Sequence, residues 1–193
     1  MGVRAIFLSG SVSQGTATKN SDIDFFFIAK RKQIWTARFF VFVWLKAYRE
    51  ITSKQKHAEK ICPNHFITED ALEIKEKDAY AANLFSHNIP LYDPDNIFPH
   101  FAQKNQPWVQ KFGKSFEKTY LELSLPPVPY SKRKRICCQF LESLLQFLQK
   151  KKIQANPESH LPGAKIILTE QELRFHPKPK NKEFNKEVKK PKR

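Results

Sequence analysis

The apolar positions of the chain predict an alternation of strands and helices. Short apolar runs at residues 3–9 and 22–29 flank a connection rich in glycine, serine and threonine, and they predict two strands. Residues 33–48 are apolar on nearly every face, which predicts a helix buried against a sheet. The run at 60–68 predicts a third strand. Pro63 would place that strand at a sheet edge, because proline cannot donate a ladder hydrogen bond.

The second half of the chain has a different pattern. Residues 69–86 predict a helix, and residues 90–94 predict an extended or turn segment. Residues 131–152 have apolar side chains at helical spacing and basic residues at both ends. They predict a C-terminal helix whose apolar side packs on the sheet. The segment 177–193 has too few apolar residues to pack and is expected to be disordered.

Chain length limits the number of domains. A chain of 193 residues with 40% apolar content can bury one good core but hardly two independent ones. We expect an α/β core at residues 1–95, a mainly helical extension packed on it at 96–176, and a basic tail at 177–193.

The formal net charge of +15 favours polyanionic partners, such as nucleotides, nucleic acid or an anionic membrane face. A lysine-rich solubilising surface explains the same charge equally well.

The three cysteines are odd in number, and Cys137 and Cys138 are adjacent, which suits a reducing cytoplasm better than a disulfide framework. We expect no signal peptide and no transmembrane segment, because the longest apolar run falls short of a bilayer span. The six histidines lack ligand spacing to the cysteines, so no structural zinc is predicted.

Two acidic residues in the second predicted strand carry the most informative chemistry. Residues two apart in a strand project to the same face, so Asp22 and Asp24 present their carboxylates side by side. Two like charges this close repel each other unless a cation neutralises them. Oxygen ligands on one face suit Mg²⁺, which also takes oxygens from substrate phosphates. The alternative is a pair of solvated side chains on a half-buried strand.

Gly10 and Ser11 favour the functional interpretation of the acidic pair. Gly10 ends the first predicted strand, and the backbone N–H groups that follow it are expected to face a phosphate. Other phosphate motifs fit worse. Thr16 and Ala17 stand where a P-loop requires Lys and Ser or Thr, and the dinucleotide fingerprint G-x-G-x-x-G is absent.

The segment 10–28, GSVSQGTATKNSDIDFFFI, resembles the signature of the DNA polymerase beta-like nucleotidyltransferase superfamily: Gly-Ser, about ten residues, then D-x-D in a strand. More of the chain looks like uncharacterised bacterial nucleotidyltransferase-domain proteins. The resemblance implies an α/β (α+β) fold in which helices flank a mixed sheet. It also implies that Asp22 and Asp24 are catalytic Mg²⁺ ligands. Gly10, Ser11 and Ser21 would bind a nucleoside triphosphate, expected to be ATP, whose nucleoside monophosphate passes to a hydroxyl acceptor.

The superfamily normally supplies a third carboxylate from a later strand, which helps to bind metal and accepts the proton of the attacking hydroxyl. The strand predicted at residues 60–68 contains no acid. Glu69, Asp70 or His65 could take this role, or no residue takes it and activity is weak. Members of the superfamily usually have a helix before the first strand, so the sequence is compatible with a truncated fragment or a misplaced start.

Two other function classes stay open at this point. A non-catalytic module that binds nucleotide or nucleic acid, with RNA or another polyanion as partner, would explain the missing acid and the basic charge. A membrane-surface protein that uses the basic helix at residues 131–152 ranks last. The acceptor and the oligomeric state are not predicted.

Overall fold

The computed structural model describes residues 2–51, 60–122 and 136–176, with side chains from residue 139 onward in the last range. In these ranges six strands form one mixed sheet in the order β4-β1-β2-β3-β6-β5. Strands β2 and β3 run parallel, and the other neighbouring pairs run antiparallel. The strands are β1 (Val3–Ser9), β2 (Ile23–Ala29), β3 (Ile61–Thr68), β4 (Ile89–Tyr92), β5 (Lys165–Leu168) and β6 (Glu172–His176).

Helices cover both faces of the sheet. Those in the described ranges are α1 (Gly10–Ser13), α2 (Ile34–Ala47), α3 (Ala79–Ser86), α4 (Ile97–Val109), α5 (Lys118–Leu121) and α6 (Ile136–Gln154). Phe7 and Phe26 pack with α3 and α4 in one core, and Phe27 and Phe66 pack with α2 and α6 in another. Because both faces are covered, the central strands are apolar on both sides. The predicted α/β (α+β) class, a mixed sheet flanked by helices, is confirmed.

The predicted edge position of the third strand is wrong. Strand β3 lies inside the sheet between β2 and β6. Asp24 pairs with Cys62 but Phe26 pairs with His65, so β3 has one extra residue between these two pairs. Pro63 lies at this irregularity, where a missing N–H group does not interrupt a regular ladder.

The helix predicted over residues 69–86 begins only at Ala79. The preceding backbone bonds to a side chain instead of forming helical hydrogen bonds: Asn105 accepts from the Ile74 N–H at 2.9 Å and donates to the Leu72 carbonyl at 2.8 Å. Asp78 then caps the helix by accepting from the Ala81 N–H at 2.7 Å. The long-range contact with Asn105 is invisible to local periodicity.

The C-terminal part of the described chain contributes to the sheet as well as to the helical layer. Strands β5 and β6 follow α6 and complete one side of the sheet, which the sequence pattern did not predict. The proposed boundary at residue 95 stays a prediction, and the tail at 177–193 lies outside the described residues.

Helix α6 packs mainly on α2 and buries only part of its apolar side. Leu145 and Ile153 belong to the second core, whereas Phe140 is 75% exposed and Phe147 is 55% exposed. The expectation that the apolar side of this helix packs on the sheet is met at Leu145 and Ile153 and not at Phe140 and Phe147, because α2 lies beside α6 and covers only one flank of it. Within the ranges described, no helix combines the length and the apolarity that crossing a bilayer requires.

Candidate active site

The predicted acidic pair lies where three strands meet at one edge of the sheet. Ser9, the last residue of β1, pairs with Asp24 near the start of β2, and Asp24 pairs in turn with Cys62 near the start of β3. Asp22 directly precedes β2. The end of one strand and the starts of two others therefore bring a glycine, two carboxylates and a thiol together.

Asp22, Asp24 and Cys62 form a compact set of metal-ligating groups. One ligand atom from each lies within 4.8 Å of the other two. Both carboxylates are half-buried, and Cys62 is 9% exposed. Two oxygen ligands and one sulfur on a partly desolvated surface fit a divalent cation, because the ion would relieve the repulsion between the two carboxylates.

Gly10 is required by its contact with Asp24. A Cβ atom at this position would lie 2.9 Å from both Cβ and Cγ of Asp24, closer than side chains tolerate. The backbone also has φ of +71°, which L side chains rarely adopt. The chain thus turns from β1 into α1 directly over the Asp24 carboxylate, which places the Gly10 backbone beside the acidic pair.

The two serines predicted to bind nucleotide lie at opposite ends of the connecting loop. Ser11 follows Gly10 in α1 and is half-buried. Ser21 closes a turn: its hydroxyl accepts a hydrogen bond from the Thr18 N–H at 2.9 Å. Ser21 precedes Asp22 directly, and its role in nucleotide binding stays a prediction.

Glu69 and Asp70 lie far from the acidic pair. Thr68 pairs with Ala29, five residues beyond Asp24 along β2, which at roughly 3.3 Å per residue is about 16 Å. Glu69 instead accepts from Arg4 Nη1 at 2.6 Å and from the Arg31 N–H at 3.1 Å. Because β2 and β3 run parallel, these acids lie at the opposite edge of the sheet, so neither can serve as the third acid.

His65 is also engaged in contacts away from the acidic pair. Its Nε2 lies 3.1 Å from Glu172 Oε1, which Arg174 Nη2 contacts at 2.8 Å. Burial, followed by the positive charge of Arg174, lowers the pKa of His65 to about 3, so the ring is neutral at pH 7. The ring therefore belongs to a buried polar cluster between β3 and β6.

Tyr80 and His176 lie within electrostatic reach of the acidic pair. Burial, and then the negative charge of Asp24, raises the pKa of the Tyr80 hydroxyl. Burial and then Arg174 lower the pKa of His176 to about 4, while the charge of Asp22 acts in the opposite direction. Helix α3 and strand β6 therefore bring a phenol and a neutral imidazole to the same edge of the sheet.

A small cavity adjoins these two residues. Its polar lining comes from α3, its preceding loop and the three strands β3, β5 and β6, namely His65, Glu76, Tyr80, Lys165, Arg174 and His176. Glu76 accepts from Arg174 Nη1 at 2.6 Å and also pairs with Lys165. With a volume of about 30 Å³ the cavity has room for water, not for a nucleotide base.

Residues 2–81 match the model of the nucleotidyltransferase domain family. The match begins before β1, ends in α3 and includes Gly10, Asp22, Asp24 and Cys62, so the predicted polymerase beta-like relationship is confirmed. Searches of curated proteins and of solved structures gave no significant match.

Three residues near the acidic pair were not predicted from the sequence: Cys62, Tyr80 and His176. A usable signal existed for Cys62, which is the second residue of its strand just as Asp24 is of β2. Aligning the two strands from their starts would have placed the thiol beside the carboxylate. Tyr80 and His176 gave no comparable signal, because their position depends on how α3 and β6 pack.

Proposed function

We propose that this chain transfers a nucleoside monophosphate from a metal-bound nucleoside triphosphate, expected to be ATP, to a hydroxyl acceptor. The observation that carries the proposal is the convergence of Asp22 and Asp24 beneath Gly10, inside the segment that matches the nucleotidyltransferase domain family. In the reaction, the acceptor oxygen bonds to the α-phosphorus as the bond from that phosphorus to the leaving pyrophosphate breaks, and the hydroxyl proton is released.

We assign the acidic residues to the metal ion and the glycine and serines to the triphosphate. Asp22 and Asp24 would hold the divalent ion, for which Mg²⁺ is the ion that suits the two carboxylates. When bound, such an ion neutralises charge on the phosphates. Gly10 lets the backbone approach the acidic pair without a side chain in between, and we assign Gly10, Ser11 and Ser21 to the triphosphate.

The first experiment is a calorimetric titration with a non-hydrolysable ATP analogue, with and without Mg²⁺. We expect metal-dependent binding that Asp22→Asn together with Asp24→Asn abolishes, because the neutral amides no longer attract the cation. The double variant should keep or slightly gain stability, since the repulsion between the two carboxylates disappears.

The matched control removes two acidic charges elsewhere. Glu73 and Glu122 are exposed partners in surface ion pairs of low energetic value, so Glu73→Gln with Glu122→Gln changes the net charge equally. Analogue binding should be unchanged in that control. Unaltered Mg²⁺-dependent binding in the Asp22/Asp24 variant would contradict the site assignment.

A non-catalytic binding module is the second candidate. Two observations favour it. Among the described residues, the group around Asp22 and Asp24 contains a thiol in place of a third carboxylate, and the chain has a net charge of +15. If binding is through the basic surface, affinity for RNA or DNA should fall steeply, tenfold or more, between about 50 and 200 mM salt and should be insensitive to EDTA. Nucleotide binding at the metal site should instead be lost with EDTA and should depend less on the salt concentration.

A further inference from the structure

Cys62 occupies a position beside Asp24 that no sequence motif assigns. It pairs with Asp24 in the parallel register of β2 and β3, and its Sγ belongs to the three-atom set that lies within 4.8 Å. Ligand atoms around one ion bound at about 2.0–2.3 Å lie roughly 3.5 Å apart. A separation within 4.8 Å is therefore close to the spacing that a single cation requires.

The other acidic and imidazole side chains considered as a third ligand are engaged elsewhere. Among the residues that the structure describes, this is the one group of three acidic, thiol or imidazole side chains that converges in this way. Glu69 is bound by Arg4 at the other edge of the sheet, and His65 contacts Glu172. Gly10, directly after β1, approaches Asp24 from the strand on the other side of β2.

We propose that Cys62 is the third metal ligand and that the site therefore prefers Zn²⁺ to Mg²⁺. This inference rests on the proposed function, because Asp22 and Asp24 hold the ion in both. Mg²⁺ requires near-octahedral oxygen coordination and dehydrates reluctantly, so a thiolate contributes little to its binding. Zn²⁺ and Co²⁺ accept mixed sulfur and oxygen ligands at four positions, and a thiolate raises the affinity of a site for them.

The test uses Co²⁺ as a spectroscopic probe of the full chain. A cobalt–thiolate bond produces a charge-transfer absorption in the near ultraviolet, whereas carboxylate ligands do not. The background variant is Cys137→Ser with Cys138→Ser, which removes the other two thiols of the chain. In that background we expect the band to appear with Co²⁺ and to disappear when Zn²⁺ is added in competition.

Two substitutions in that background assign the band. Cys62→Ser should abolish it and weaken Zn²⁺ binding by about tenfold or more, while Mg²⁺ binding changes little. Cys62→Asp should also abolish the band and shift the preference toward Mg²⁺, because three carboxylates then converge. The Asp22/Asp24 double asparagine variant should lose the band as well, which shows that thiol and carboxylates act on the same ion.

The outcomes separate this inference from the proposed function. No band in the background variant, or a band that persists in Cys62→Ser, would overturn the role of Cys62. If the ATP analogue still binds with Mg²⁺ and depends on Asp22 and Asp24, the proposed function stands without the thiol. If neither the band nor metal-dependent nucleotide binding is observed, both proposals fail. Circular dichroism of each variant confirms that the fold is retained.

Discussion

At the scale of single residues, the site depends on one position without a side chain. Gly10 combines a left-handed backbone with a close approach to Asp24, and each of these alone disfavours another residue. Gly113 has a similar backbone, with φ of +67°, but nothing lies within 4 Å of its would-be Cβ. The two glycines therefore separate the cost of the backbone conformation from the cost of the contact.

We predict that Gly10→Ala and Gly113→Ala both lower the free energy of unfolding, each by about 1–2 kcal/mol for the left-handed conformation. Gly10→Ala should lose more, and it should also weaken metal-dependent nucleotide binding by tenfold or more, because the methyl group displaces the Asp24 carboxylate. Urea denaturation and calorimetry measure the two effects. Equal nucleotide affinity in the two variants would show that the contact with Asp24 is unimportant.

At the scale of elements, α6 holds the start of α2 through one carboxylate. Glu142 accepts hydrogen bonds from the backbone N–H groups of Trp35 and Thr36, both at 2.8 Å. These N–H groups lack partners within their own helix, and a negative charge at a helix N-terminus is favourable. Gln149 adds a second link by donating to the Trp35 carbonyl at 2.9 Å. Two helices more than 100 residues apart in sequence are thus joined by specific polar contacts.

We predict that Glu142→Gln lowers the free energy of unfolding by about 1–2 kcal/mol. The amide loses the charge and points a donor at one of the two N–H groups, so one hydrogen bond is replaced by a clash of donors. Glu170→Gln, at an exposed position between β5 and β6, is the control and should change stability by less than about 0.5 kcal/mol. Equal stabilities of the two variants in urea would refute the capping role.

At the scale of the whole molecule, a buried polar cluster joins β3 to β6 and to the loop before α3. The side chains in this cluster are buried: His65 and Glu172 are each 6% exposed, and Arg174 is 7% exposed. Arg174 also forms a salt bridge with Glu76. Such a cluster makes stability depend on pH. The pKa of His65 is about 3 in the folded chain, against 6.5 for an ordinary histidine, and that of His176 is about 4.

We predict that the protein loses stability as the pH falls below about 6.5. The unfolded chain then protonates its histidines, whereas the folded chain keeps His65 and His176 neutral until the pH nears their lowered pKa values. Between pH 6.5 and its folded pKa, each of these histidines therefore lowers the free energy of unfolding by up to about 1.4 kcal/mol for every unit that the pH falls. Above about pH 6.5 this loss is absent. Urea denaturation at pH 7.5 and pH 5 measures the slope.

The control for this pH dependence is another histidine. His65→Gln should reduce the slope to the part that His176 contributes, since glutamine does not titrate, while His87→Gln at an exposed position is the matched control and should keep the wild-type slope. Parallel slopes for the wild-type protein and both variants would mean that burial of His65 does not set the pH dependence.

Local patterns in the sequence were sufficient for the elements that carry the acidic pair. Apolar runs predicted β1, β2, β3 and α2, because burial on both faces leaves a continuous apolar signal. The same patterns failed at residues 69–78, where Asn105 satisfies the backbone from a distant helix. They also gave no indication of β5 and β6, which are short and pair with each other and with β3 across a long separation.

By itself, the sequence determined the glycine, the two carboxylates two residues apart, and the match of this segment to the nucleotidyltransferase domain model, because these features depend on local spacing along one connection. Only the tertiary structure decided which groups accompany them. The parallel register of β2 and β3 places Cys62 beside Asp24 and carries Glu69 and Asp70 to the opposite edge of the sheet. Register between strands is set by packing over many residues, and a shift of one residue would change every neighbour in the site.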